Sequence, residues 1–159
     1  MMLNPQSFIH EDEYRQILAV CNELAAETNA KLVFLVDKNG QLLASSGDTG
    51  SMDTTSLATL AAGNIAATSG LAKLLGEQEF SILFHEGEKD NLHLSIIGER
   101  YILVVVFDGR SSLGLVRLRV KKSGQRLETV FEEMKRRQRE SNPLFAEITD
   151  EDIDNLFND

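Results

Sequence analysis

The sequence predicts one α/β domain of order α-β-β-α-β-β-β-α, a five-stranded antiparallel sheet with helices on both faces, followed by an acidic amphipathic tail. Three observations predict it. The apolar pattern switches repeatedly between a helical period of three to four residues and short, nearly continuous runs. The separators within each group of runs are only three or four residues long, enough for hairpins and too short for helical crossovers. Finally, 159 residues with 42% hydrophobic content suffice for one core and fall short of two ordinary domains.

Residues 11–28 place Tyr14, Ile17, Leu18, Cys21, Leu24 and Ala25 three and four apart, the stripe of an amphipathic helix, with Glu11, Asp12 and Glu13 suiting its first turn. Residues 31–36 (Lys-Leu-Val-Phe-Leu-Val) are too apolar for alternation and too short for a typical helix, so they read as a strand buried on both sides. The Asn39-Gly40 pair, tolerant of positive φ, turns the chain into a second strand over 41–46.

A second helix runs from Asp53 or Thr54 to Leu75, opened by a side-chain cap and closed at Gly76. Ala58, Ala61, Ala62, Gly63, Ala66, Ala67, Gly70 and Ala72 make it narrow, while Leu57, Leu60, Ile65, Leu71, Leu74 and Leu75 supply larger apolar anchors. Interior Gly63 and Gly70 each cost about 0.5–1 kcal/mol relative to alanine, which close backbone packing would offset. Two occupants fit that description: the helix's own sheet, or a second copy of the helix in a homodimer.

Residues 81–86, 91–97 and 101–107 form a three-stranded meander. Its middle strand alternates Leu92, Leu94 and Ile96 against Asn91, His93 and Ser95, whereas the last is apolar on both faces and expects cover on both. Helical spacing then returns over 112–138 through Leu113, Val116, Val120, Leu127, Phe131 and Met134, with Gly124 inside the stripe, where it admits a close neighbour. The folded domain is expected over 8–139 and an acidic recognition tail over 140–159. In that tail Ile153, Leu156 and Phe157 share one side of a short expected helix capped near Thr149-Asp150.

The formal net charge of −9 argues against a general grip on nucleic acid or anionic membranes, but it conceals a partition. Residues 1–109 carry −9, residues 110–139 carry +7 and residues 140–159 carry −7. The basic run lacks the aromatic interleaving and the motifs of nucleic-acid binders, so no nucleic-acid partner is expected. It reads as a solvated helix face, or as a surface for an acidic partner or for the chain's own tail. The N-terminus has no basic-then-apolar leader and no apolar stretch reaches eighteen residues, so neither export nor membrane insertion is expected. A single cysteine, Cys21, excludes an internal disulfide and suits a reducing, cytoplasmic setting.

No catalytic, cofactor-binding or metal site assembles from these residues. His10, His85 and His93 are scattered, no phosphate loop or dinucleotide fingerprint is present, and His93 reads as an ordinary strand residue. Asp108-Gly109-Arg110-Ser111-Ser112 reads as a strand-to-helix turn rather than an anion site.

Residues 31–40, 53–64 and 71–77, with His85-Glu86-Gly87, Phe107-Asp108, residues 112–117 and residues 150–157, resemble in order and spacing the bacterial branch of the Roadblock/LC7 family. The resemblance covers nearly the whole chain. It implies a non-enzymatic, homodimeric regulator that activates GTP hydrolysis by a Ras-like GTPase of the MglA type, two regulator subunits to one GTPase, without an arginine finger. A non-catalytic GTPase-binding polarity scaffold is the alternative; a small-ligand sensory domain lacks a polar pocket signature. The resemblance further implies a dimer or GTPase interface at Thr59, Ala62, Gly63, Ala66, Ala67 and Gly70. It implies docking of the tail through Ile153, Leu156, Phe157, Asp150, Asp152 and Asp154, and a setting in polarity or motility with enrichment at a cell pole.

Overall fold

A computed structural model describes residues 9–50 and 52–141, together with Asn155. The expected tail residues Asp150, Asp152, Ile153, Asp154, Leu156 and Phe157 lie outside the described residues.

The order is α1 (Glu11–Thr28), β1 (Leu32–Asp37), β2 (Leu42–Gly47), α2 (Thr54–Leu75), β3 (Ile82–Glu86), β4 (Asn91–Ile97), β5 (Tyr101–Phe107) and α3 (Leu113–Ser141). The strands lie in the order β2-β1-β5-β4-β3 and every neighbouring pair is antiparallel. The expected fold class and element order hold. Strand and helix limits fall within one residue of the sequence reading, except that α3 continues to Ser141, three residues past its expected end.

Alternation along the central strands builds two cores. Val33, Leu35, Leu103, Val105 and Phe107 face α1 and α3, whose Ile17, Val20, Cys21, Leu24, Val116, Val120 and Leu127 close that side. Leu32, Phe34, Val36, Ile102, Val104 and Val106 face the other way and meet Ala58, Ala61, Ala62 and Ile65 of α2. This double cover is why β1 and β5 carry no polar face. At burial fractions near zero, each large side chain here contributes roughly 1.5–3 kcal/mol by leaving water.

Turn chemistry fixes the hairpins. Gly40 adopts φ 91°, and the Asp37 carboxylate accepts the backbone N–H of Asn39 at 2.9 Å and of Gln41 at 3.0 Å. In α3, a Cβ placed on Gly124 would come within 3.0 Å of Ile97 Cδ1, so this glycine does admit the sheet closely, as expected. The ring of Phe131 stacks on Tyr101 of β5 with centroids 3.8 Å apart.

The basic character of α3 is partly spent inside the protomer. α1 and α3 run antiparallel, and Glu13, Glu23 and Glu27 of α1 pair with Arg137, Arg126 and Arg119 of α3. Arg137 Nη2 donates to Glu13 Oε1 at 2.7 Å and Nε to Oε2 at 3.0 Å, a two-point clasp. Burial raises the Glu13 pKa, but the Arg137 hydrogen bonds and the His10 N–H outweigh it and hold it below the ordinary value.

Candidate functional site

Helix α2 is the element whose composition the fold does not use up. Asp53 caps it, accepting Ser56 N–H at 3.2 Å and Ser56 Oγ–H at 2.7 Å, and those bonds hold its carboxyl below the usual range. Gly76 ends it at φ 71°, with Glu77 N–H returning to Ala72 O at 2.9 Å. Between the caps, Ala58, Ala61, Ala62, Ile65 and Ala72 form the buried stripe.

The opposite stripe is also apolar, and it faces solvent. Leu60 is 70% exposed and Leu74 85%, with Leu71, Leu75, Gly63, Ala66, Ala67 and Gly70 exposed among them. Leu60, Gly63, Ala67, Gly70 and Leu74 recur at steps of three and four, the spacing of a seam that receives another helix. The glycines discriminate between the two occupants raised by the sequence. A Cβ built on Gly63 or Gly70 meets no atom within 4 Å, so neither glycine serves packing against its own sheet. An exposed apolar stripe of this kind is a candidate interaction site.

Of the residues singled out from the sequence, Thr59, Gly63, Ala66, Ala67 and Gly70 lie on exposed positions of α2. Ala62 differs: it is 8% exposed and packs under the helix on Leu32, Phe34 and their neighbours, because it falls on the inner stripe at one turn from Ala58 and Ile65. The sequence reading placed a strand at 81–86 but assigned none of its residues to an interface. β3 is an edge strand, its first residue Ile82 and the preceding Phe80 are exposed, and its outer backbone groups have no ladder partner among the described residues.

Polar contacts tie β3 and the loop before it to α2. The Asn64 amide nitrogen lies 2.9 Å from His85 Nε2. Ser69 Oγ donates to Glu79 Oε1 at 2.6 Å and Lys38 Nζ to the same oxygen at 3.4 Å; the Ser69 bond is the chief reason the Glu79 pKa is lowered. These bonds join the flanks of α2 to β3 and to the loop before it.

No group of His, Cys, Asp or Glu with metal-binding placement occurs among the described residues. Cys21 is buried and its thiol pKa is pushed up to about 12 by that burial, which makes it inert. His93 is fully buried on β4 with neither ring nitrogen bonded. Arg110, at the strand-to-helix turn, is held by Asp108, whose Oδ1 accepts its backbone N–H at 3.0 Å and its Nε–H at 3.1 Å. No helix among the described residues is long and apolar enough to cross a membrane.

Residues 16–107 match the family model of the Roadblock/LC7 domain. Among solved structures the chain is similar to Myxococcus xanthus MglB, with 58% identity over 79% of this chain and 95% of that one and a TM-score of 0.76. It is similar to the gliding protein MglB of Thermus thermophilus at 38% identity over 79% and 95%, TM-score 0.72. An MglB described with a tetrameric arrangement matches at 36% over the same shares, TM-score 0.75. No curated protein gives a significant match. The family match, the extent of these identities and the shared fold make this chain a member of the Roadblock/LC7 family, closely related to bacterial MglB.

Proposed function

We propose that the chain is a homodimeric activator of GTP hydrolysis by a bacterial Ras-like GTPase of the MglA type, two regulator subunits engaging one GTPase. The observation that carries this reading is the 58% identity to MglB across 79% of the chain. The exposed apolar face of α2 and the open edge of β3 support it. Antiparallel pairing of two such edges extends the sheet across a dimer, and two α2 helices then lie side by side as one platform. Thr59, Gly63, Ala66, Ala67 and Gly70 are its contact positions toward the second copy or the GTPase.

Activation in this reading is positioning. The regulator contacts the mobile switch segments and holds the GTPase's own water-orienting and charge-stabilising groups in place, the terms that dominate phosphoryl transfer. Arg110 is engaged by Asp108 and does not act as a finger. The terminal segment, through Ile153, Leu156 and Phe157 with Asp150, Asp152 and Asp154, adds a second contact on the GTPase that tunes affinity or exchange. Bacterial polarity or motility, with enrichment at a cell pole, is the setting.

The test is GTP turnover by the purified GTPase with and without the chain. Acceleration that survives Arg110→Ala supports the reading. Tight binding without acceleration makes the chain a scaffold instead, and absence of binding removes both.

A further inference from the structure

The N-terminal half of α3 carries a charge excess that the fold leaves unanswered. Leu113–Gly124 contains Arg117, Arg119, Lys121 and Lys122 and no acid. Arg119 pairs with Glu27, but Arg117, Lys121 and Lys122 make no ion pair among the described residues. The helix dipole gives no reason for cations near this end of a helix. Amid them Leu118 is 64% exposed. Among the described residues the other exposed leucines all belong to α2, on the far side of the sheet.

Residues 142–159 have the complementary chemistry: six acids, no cation, and Ile153, Leu156 and Phe157 among them. Reach allows the two to meet. From Ser141 back to Leu118 is about 35 Å along the helix axis at 1.5 Å per residue. Residues 142–156 span up to about 50 Å when extended, which leaves slack for a turn or two of helix at the far end. Tethering also relaxes the demand on affinity, because covalent attachment over this length holds the segment at an effective concentration on the order of millimolar.

We propose that Leu118, ringed by Arg117, Lys121 and Lys122, is a docking surface for the chain's own acidic terminal segment, residues 142–159. An apolar side chain of the segment covers Leu118 while its carboxylates meet the three cations. Under the GTPase reading, on which only this consequence rests, α3 parks the segment until a GTPase competes for it.

The experiment uses the full chain without any GTPase, so its outcome is separate from that reading. A spin label is attached at Asp159→Cys; buried Cys21 stays unlabelled. Amide signals of residues 114–125 are expected to broaden at low salt. They recover in Lys121→Glu/Lys122→Glu, in Leu118→Ser, and on raising salt from about 0.05 M to about 0.5 M, which shortens the screening length several-fold. Unchanged β4 and β5 shifts verify the fold of these surface variants. No broadening on α3, broadening confined to α2, or broadening indifferent to the charge reversal overturns the proposal. So does Lys121- and Lys122-dependent binding to phosphatidylglycerol vesicles with no broadening in the free chain.

Discussion

His93 shows how a residue ordinary in sequence acquires a physical consequence from its cover. The alternation of β4 puts it opposite Leu92 and Leu94, on the side the sequence leaves polar, but α3 crosses that side and the imidazole is sealed with both nitrogens unbonded. Burial, and secondarily the charge of Arg117, lower its pKa. The unfolded chain therefore binds the proton more readily. Stability is unaffected well above the unfolded value of 6.5 and falls as pH drops below it, by at most about 1.4 kcal/mol per pH unit from this group. Denaturant titrations of the native chain and of His93→Leu between pH 7.5 and pH 5 are expected to show a smaller acid loss in the variant; identical profiles would sink the assignment. Gly63 and Gly70 are the converse case, residues whose cost has no return inside the protomer. In a chain held apart by the exposed substitution Ala67→Arg, Gly63→Ala and Gly70→Ala are each expected to stabilise by about 0.5–1 kcal/mol. In the native background the same changes are expected to weaken self-association, and thermal melts paired with sedimentation separate the two effects.

At the level of elements, the packing of α1 against α3 depends on more than apolar contact. The Glu13–Arg137 clasp is mostly covered, so Glu13→Gln is expected to cost about 1–2 kcal/mol at neutral pH. Because the folded pKa of Glu13 lies below 4.5, that contribution stands above this pH and is lost as acid protonates the carboxylate. A double-mutant cycle with Arg137→Gln, run at pH 7, measures it; a coupling near zero would contradict the clasp. These pairs were not legible in the sequence, which places opposite charges on two helices but not the crossing that brings them together. Much else at this scale was. Asn39-Gly40, Gly87 to Asp90 and Gly98 to Arg100 punctuate the strands so clearly that limits agree within a residue, and the doubly apolar runs of β1 and β5 announce their double cover. For α2 the sequence shows apolar residues on more than one stripe, and periodicity alone cannot say which stripe is inside. The position of Ala62 on the inner stripe and of Leu60, Leu71 and Leu74 on the outer one follows only from the crossing over Leu32, Phe34 and Val36.

For the whole molecule, the net charge of −9 understates an uneven distribution: the fold answers Arg119, Arg126 and Arg137 of α3 with α1, while Arg117, Lys121 and Lys122 make no ion pair among the described residues. The exposed leucines are uneven too: among the described residues four of five, Leu60, Leu71, Leu74 and Leu75, lie on α2, on the opposite side of the sheet from these cations. The two helix layers thus differ: α1 and α3 close one core and pair their charges, whereas α2 closes the other core and keeps an exposed apolar stripe. The proposed role of the exposed α2 stripe is to join two copies and meet the GTPase. It is tested most directly by sedimentation of the native chain and of Ala67→Arg, each alone and with the GTP-analogue-loaded GTPase, circular dichroism verifying the fold. The account predicts a native chain at twice its 17.7 kDa and a complex of two chains with one GTPase, whereas the variant is a folded monomer that neither assembles that complex nor accelerates hydrolysis. A variant that still dimerises and still activates would contradict it.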